Sequence, residues 1–600
     1  MIVLKIVAVL LSLAWLNDAL RLHTRAKSLS VLLDSDVEVD GDHVFIVRKG
    51  VILDDATKRA ASAHAKAEGL EVLDLIPASL TAWRAIVLLL TLDPPRYRAD
   101  RVARGVTAGD AILVHRSVLE RCTVDREPED IVACNEVARV LKRYAVTQSD
   151  VAVAPQLRTA KAPLATRRRL LRSLFGDFVG PLLVVQYTLL AMAIALAPPF
   201  GLVALGLFHL QVIALTALTP LSPHDTVVYF LFRGLIDLAS AFGPMSKMPE
   251  TGPSREVLRA SYDQLLSKGT EPFFEPKRDD CPLCGARAIE TKVELNDRYQ
   301  FKPGRFVLSR CRDCEHVFQN PRLSIAGLEF YYRDFYEGLG AEVIDWAFAA
   351  EPGTYRQRAQ MVSAVTTPER WLDVGAGHGH FCCIAREMMP TTRFDGLDLS
   401  ESIDDAVRRR WVDHGIRGLF PEVAPTLSAK GESYDVVSMS HYLEHTIDPK
   451  SEIVAAGQVL KPGGLLFIEV PDPECFFGRF LGRNWMPWFQ PQHLHFLSVK
   501  NLETMLRAQA FEPVQWHRGE AHQTTDMTFL VYLAIERLAP PTDLPWRTPG
   551  GAMARAWRKV VRSTLFPVLF FGWLADRILA PLLRRPGFSN TYRVLARKVA

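Results

Sequence analysis

Cysteine is scarce in this protein: nine residues in 600 cannot build a disulfide framework. Charge of one sign is scarce too. Seventy-one basic residues stand against 67 acidic ones, and the formal net charge of +4 is too small for so long a chain to argue nucleic-acid binding. No internal repeat or low-complexity tract stands out, and no small-residue cleavage site follows the apolar opening "MIVLKIVAVLLSLAWLNDAL". That absence favours an uncleaved anchor over a signal peptide.

What is abundant is apolar surface. Apolar residues make up 48% of the chain beside 23% charged residues, and the mean hydropathy lies just above zero. A soluble composition therefore coexists with concentrated apolar segments, and roughly 150 residues per domain points to three or four units. Residues 1–20 read as a membrane anchor. "GPLLVVQYTLLAMAIALAPPFGLVALGLFHLQVIALTALTPL", Gly180 to Leu221, is long enough for two spans turning at Ala197-Pro198-Pro199, so residues 179–245 are expected to hold a transmembrane hairpin and a membrane-associated helix. Residues 526–600 read as a basic amphipathic tail lying in the membrane interface, because Asp576 and Arg577 interrupt its apolar run. Arg21, Arg25 and Lys27 after the first segment, with Arg167, Arg168, Arg169 and Arg172 before the hairpin, assign residues 21–178 to the cytoplasm, and the hairpin returns the chain to the same side. The expected localisation is a membrane, with the residues on both sides of the hairpin on its cytoplasmic face.

Between anchor and hairpin, "DHVFIV", "GLEVLDLI" and "AGDAILVHRSVLERC" alternate with helical patterns, predicting a small α/β domain over residues 21–178. Its later part, from "EDIVACNEVARV" to "ATRRRLLRSLFG", faintly resembles the end of a membrane-associated GT-A glycosyltransferase. Glu129-Asp130 then stand where such enzymes carry an acidic base. A metal-binding D-x-D after a strand is missing, which implies a remnant or architectural domain. Residues 246–277 read as a linker.

Four of the nine cysteines form two C-x-x-C pairs, Cys281 with Cys284 and Cys311 with Cys314. Four thiolates at this spacing suit one tetrahedral structural zinc with no open ligand position, giving a zinc ribbon at residues 278–322. Reduced thiolates of this kind belong in a reducing compartment.

Downstream, "RWLDVGAGHGHF" carries a strand ending at Asp373 and a turn with Gly375, Gly377 and Gly379, which lets backbone approach a nucleotide-like ligand. "RFDGLDLS" adds a second strand ending at Asp398, "YDVVSMS" a buried strand ending at Ser440, and "LKPGGLLFIEVP" a turn and another strand. This order resembles the class I S-adenosylmethionine-dependent methyltransferases over roughly residues 355–515. The resemblance implies a doubly wound, Rossmann-like α/β domain, residues 323–525, with S-adenosylmethionine as cofactor. Asp373, Gly375, Gly377 and Gly379 would hold its methionine end and Asp398 its ribose, with Ser440 beside them. Phe420 or Glu422 are the residues offered to adenine.

"HYLEH", His441 to His445, also spells the H-x-x-E-H of an inverted zinc-peptidase helix. Asp448-Pro449 ends any helix there within two turns, so a cleft-lining role is expected instead. After the fifth strand, "GRNWMPWFQPQHLHFLS" resembles the substrate mouth of zinc-ribbon methyltransferases of cell-surface sugar and secondary-metabolite pathways, and it names His493 and His495 as catalytic candidates able to accept a proton. The reading is a membrane-associated methyltransferase acting on a small-molecule or lipid-linked acceptor, with no nucleic-acid partner. The alternative is a bifunctional or scaffold membrane protein handling a glycolipid.

Overall fold

A computed structural model describes residues 2–37, 39, 41–99, 109–159, 163–175, 179–242, 255–334, 352–519 and 525–599. The chain divides into two compact units, one from residues 1–249 and the other from residues 250–407 and 411–600.

In the first unit the opening apolar run continues as one helix, Ile2–Lys27. It outlasts the expected anchor because its basic end is satisfied by protein: the Arg25 guanidinium donates to the carbonyls of Leu89 and Leu90 and pairs with Asp93. The expected hairpin forms as Val179–Leu196 and Pro198–Thr216. The break falls at Ala197, where prolines in the first turn of the second helix cannot continue the ladder of the first. Trp15 packs on Phe208 at 4.9 Å between ring centres, joining the first helix to the hairpin. A further helix, Thr226–Phe242, joins the same bundle through Asp237, which accepts from the hydroxyls of Tyr187 (2.7 Å) and Tyr229 (2.8 Å).

The α/β domain of this unit carries a five-stranded mixed sheet in the order 30–31, 149–154, 72–77, 111–115, 43–47. Asp110, fully buried, is held by Arg48 and Arg84. Asp130, the acid singled out by the glycosyltransferase resemblance, caps helix Ile131–Tyr144 by accepting from Val132 and Ala133 amides at 3.0 and 3.1 Å, and it also pairs with Arg169. Its carboxylate is engaged in structure.

The second unit contains a seven-stranded sheet. Its strands are β1 (Arg370–Val374), β2 (Arg393–Asp398), β3 (His414–Arg417), β4 (Tyr434–Ser440), β5 (Leu460–Pro471), β6 (Phe511–His517) and β7 (Thr591–Lys598). They lie in the order 3-2-1-4-5-7-6, parallel from β3 through β5, with β7 antiparallel to both β5 and β6. Apolar runs such as "YDVVSMS" suit strands covered on both faces.

The last strand changes the expected boundaries. β7 lies beyond residue 525, inside the stretch read as an interfacial tail, yet it is buried along most of its length and supplies the partner of both β5 and β6. Between β6 and β7 the chain makes a helical hairpin, α1 (Asp526–Leu538) and α2 (Ala552–Leu583). Asp576, which reads in the sequence as a charge facing the membrane interface, is 1% exposed. It caps the start of α1, accepting from the amides of Met527 (2.9 Å) and Thr528 (2.8 Å). At the other end of the pair, Arg558 binds Glu536 at 2.9 Å. Only tertiary pairing removes that carboxylate from solvent or lipid. Part of the expected linker is also ordered, since helix Arg255–Leu266 buries Tyr262 against Trp546 at 5.0 Å.

A chain cut after Gln523 should therefore leave β5 and β6 without their common partner. We expect it to be digested by a nonspecific protease far faster than the full chain, and equal protease resistance would refute this role of β7.

Among the described residues, three helices are long and apolar enough to cross a membrane: Lys5–Lys27, Pro198–Thr216 and Ala552–Leu583. The third includes much of the segment expected to lie flat.

Candidate functional site

β1, β2, β4, β5 and β6 all point their carboxyl ends to one edge of the sheet, and the glycine turn opens there. Gly375 and Gly377 both have positive φ, +76° and +51°. A Cβ on Gly375 would meet the Tyr442 ring at 2.7 Å, whereas one on Gly377 would meet nothing within 4 Å. The first glycine makes room for protein and the second leaves its open side to a ligand. Gly379 begins helix His380–Met388.

Asp398 braces this turn. One oxygen accepts from the Gly377 amide at 2.8 Å, the other from the Ser400 amide and hydroxyl at 2.9 and 2.8 Å. Asp373 is 5% exposed and lies in a buried chain in which the Trp371 indole donates to Ser438 (2.7 Å) and the Ser438 hydroxyl donates to Asp373 (2.5 Å). Burial raises its carboxyl to about 6, against the Ser438 bond and the charge of Arg358. Ser440 ends β4 with a buried hydroxyl that has no hydrogen-bond partner among the described residues. An open glycine side and an unpaired hydroxyl on the carboxyl edge fit a nucleoside-bearing cofactor. Phe420 does not meet it as a stacking ring: it is fully buried in the core with Leu397 and Leu427, while Glu422 is exposed.

Beyond β4 the histidines separate into distinct roles. "HYLEH" forms only a three-residue turn, Leu443–His445, so the peptidase helix is absent here. His441, at φ +50°, lies between two buried acids, Nδ1 3.0 Å from Glu444 and Nε2 2.9 Å from Glu469. Burial would lower its pKa, but those two carboxylates outweigh burial and raise it to about 9. Glu469 also binds Arg358 and Arg593, which hold it well below the usual carboxylate range despite burial. No sequence signal pairs β5 with β7 or brings Arg593 here.

His493 and His495 are both buried. His495 has both ring nitrogens engaged, Nδ1 with His316 Nε2 at 3.2 Å and Nε2 with the Ile447 carbonyl at 3.2 Å. His493 uses Nδ1 against the Pro487 carbonyl at 2.8 Å, which makes that nitrogen the donor and Nε2 the acceptor. Burial, then the neighbouring His445, lowers it to about 3. Ligating atoms of Glu444, His445 and His493 all lie within 4.8 Å of one another. Trp485 and Trp488 are core residues, packed edge to face at 4.9 Å.

The four cysteines converge as their spacing requires. Cys281 and Cys314 sulfurs lie 3.6 Å apart, as do those of Cys284 and Cys311. A tetrahedral zinc with sulfurs at 2.3 Å requires edges of about 3.8 Å, so the donor set fits. This ribbon shares its sheet with the histidine loop, because Val317–Gln319 pairs with His495–Phe496. The buried Gln319 amide donates to Gln490 at 2.7 Å and reinforces the junction.

A seven-stranded sheet in this order, with a glycine turn and an acid on the neighbouring strand, defines the class I methyltransferase fold. Residues 352–515 match the family described as a methyltransferase domain. A ubiquinone biosynthesis O-methyltransferase of Saccharophagus degradans is 26% identical over 186 residues, covering 30% of this chain and 72% of that protein. One from Hahella chejuensis is 31% identical over 153 residues, covering 23% of this chain and 61% of that protein. Among solved structures, an S-adenosylmethionine-dependent methyltransferase from Archaeoglobus fulgidus aligns over 45% of this chain and 98% of its own, at 15% identity and a TM-score of 0.27. The chain carries an S-adenosylmethionine-dependent methyltransferase domain over residues 352–515.

Proposed function

We propose that this protein is a membrane-attached methyltransferase that modifies a sugar or lipid-linked intermediate of cell-surface or secondary metabolism. One observation carries the reading: the apolar helix α2 belongs to an insertion between β6 and β7, and both ends of that insertion lie at the carboxyl edge of the sheet, the same edge at which the glycine turn opens. Membrane attachment there brings a lipid-borne acceptor to the reacting edge. Exposed Phe570, Phe571 and Trp573 on α2, with Arg555, Lys559 and Arg562 near its start, suit contact with an anionic bilayer. Reduced cysteines and cofactor supply support a cytoplasmic catalytic domain. The names of the relatives favour a hydroxyl as the methylated group.

Gly375, Gly377 and Gly379 would line the cofactor's methionine end, Asp398 its ribose and Ser440 the cleft wall, while Asp373 supports the turn from beneath. Bound S-adenosylmethionine supplies an electrophilic methyl group. The chain's own contribution is alignment and water exclusion, with His493 Nε2 as a hydrogen-bond acceptor that orients the reacting hydroxyl, since burial leaves its ring too weakly basic to hold the proton. His495 positions that loop through His316.

Mass spectrometry of polar and lipid extracts from cells with and without the protein tests the assignment. We expect a sugar- or lipid-containing species to become 14 mass units lighter, about one methylene, on loss of the protein. With that acceptor in hand, His493→Ala should lower kcat about 100-fold and leave cofactor affinity unchanged. An unaltered kcat would remove His493 from the chemistry.

The ribbon is proposed to hold one structural zinc. Cys311→Ser should release it, measured by metal analysis, and should loosen the 482–498 loop in hydrogen exchange, since the ribbon strand borders that loop. Zinc retained at one per chain in this variant would refute the site.

A further inference from the structure

The insertion between β6 and β7 begins and ends around a cleft that none of the roles above uses. It has a volume of about 340 Å³ and is lined by Glu474, Phe476, Arg479, Arg518 and Gly587. Glu474 and Phe476 follow β5, Arg518 follows β6, and Gly587 precedes the antiparallel β7, so all of them stand at the carboxyl edge of the sheet. Backbone bonds tie these segments together: the Phe476 amide donates to the Gly587 carbonyl at 2.7 Å and the Asp472 amide to the Asn590 carbonyl at 2.8 Å. With neighbouring strands about 4.8 Å apart, β5 lies roughly 10 Å and β6 roughly 19 Å along the sheet from the β1 glycine turn. The cleft thus shares the edge of the methyl donor but lies beyond its reach. That spacing suits the remote part of a long acceptor.

Its charged lining is two arginines and one glutamate. Arg518 spends Nε and Nη2 on one oxygen of the buried Asp472, at 2.9 and 2.7 Å, and lies 3.8 Å from Glu474. Arg479 is exposed and has no acidic partner among the described residues. Two guanidinium groups and the Glu474 carboxylate line this concave site, an excess of one positive charge, with Asp472 held by Arg518. Beside it, Phe476 and Phe480 stack at 5.9 Å and are 49% and 70% exposed, with Phe588 5.2 Å from Phe476. A cleft holding two arginines and an apolar shelf stands at the root of α2, a helix long and apolar enough to cross a membrane.

We propose that this cleft binds a phosphate or diphosphate ester of the methyl acceptor, with Arg479 and Arg518 as its principal donors. Guanidinium groups present paired N–H donors that match phosphate oxygens. The inference rests on the methyltransferase reading and narrows its substrate class to phosphorylated acceptors. Two sources share that chemistry, a lipid phosphate and a sugar nucleotide, and the exposed aromatic shelf favours the lipid.

Calorimetry on the full-length protein in detergent micelles tests it, with dihexanoyl phosphatidate, uridine diphosphate and S-adenosylmethionine titrated separately. We expect at least one phosphate ester to bind, and Arg479→Glu to weaken it about tenfold or more while cofactor affinity stays within about twofold, which also shows that the variant is folded. Binding of phosphatidate alone assigns a lipid source, and binding of the nucleotide alone a sugar nucleotide. Failure of both esters while the cofactor binds, or equal affinity in Arg479→Glu, overturns the proposal and leaves the methyltransferase reading standing. Failure of the cofactor to bind the parent protein would remove that reading and this one with it.

Discussion

Glu469→Gln is expected to destabilise the methyltransferase domain by about 3–5 kcal/mol, because it leaves cations buried without their acid. Glu469 is fully buried and touches Arg358 on the helix before β1, Arg593 on β7 and His441 after β4. A loss of that size is a large part of an ordinary domain's stability. The exposed ion pairs of Arg507 with Glu503 and Glu512 offer a contrast, since solvent screens them and removing Arg507 should leave stability nearly unchanged. Thermal melting and amide exchange along β5 would measure both, and similar losses for the two variants would refute the assignment.

The same network predicts a pH dependence. His441 gains protons on folding, with its pKa raised from 6.5 to about 9 by Glu444 and Glu469. Its contribution is complete below about 6.5 and is lost as pH rises through about 9. Glu469 is shifted downward, so its contribution is complete above about 4.5 and is lost as pH falls through its lower folded value. The domain should therefore be most stable between about pH 4.5 and 6.5, as far as these two groups decide it. His441→Gln should flatten the alkaline slope, and an unchanged slope would exclude His441 as its source.

Gly377→Val should reduce affinity for S-adenosylmethionine by about 100-fold or more. The side chain would enter the open side of the turn, and a β-branched residue strains a φ of +51°. Gly463→Val separates the two effects. Gly463 also has positive φ, +76°, and open space around it, but it lies near the start of β5, at the opposite end of the sheet. Strain alone should lower stability in both variants, whereas only Gly377→Val should abolish the calorimetric binding signal. Unchanged affinity in Gly377→Val would remove the glycine turn from the cofactor site.

The parts legible in the sequence are those fixed by near neighbours along the chain. Two C-x-x-C pairs, a glycine turn between a strand and a helix, and a hairpin broken at Ala197-Pro198-Pro199 all follow from local spacing and backbone restriction. The places of β1, β2, β4 and β5 along the chain were equally legible, because each is a short apolar run with its own turn, while their order in the sheet was what the methyltransferase resemblance implied. Tertiary structure decided the rest. β7 comes from residues 591–598 after a long helical insertion and reaches β5 and β6 only by nonlocal pairing. Asp576 reads as a charge exposed at an interface until the amides of α1 arrive to satisfy it. His493 and His495 look alike in sequence, yet His316 and the Ile447 carbonyl engage both nitrogens of one while the other keeps Nε2 as an acceptor. Local patterns decide which segments can form. Which buried charges are neutralised depends on the distant segments that meet them, because an unpaired charge in a protein interior is unfavourable whatever its sequence neighbours are.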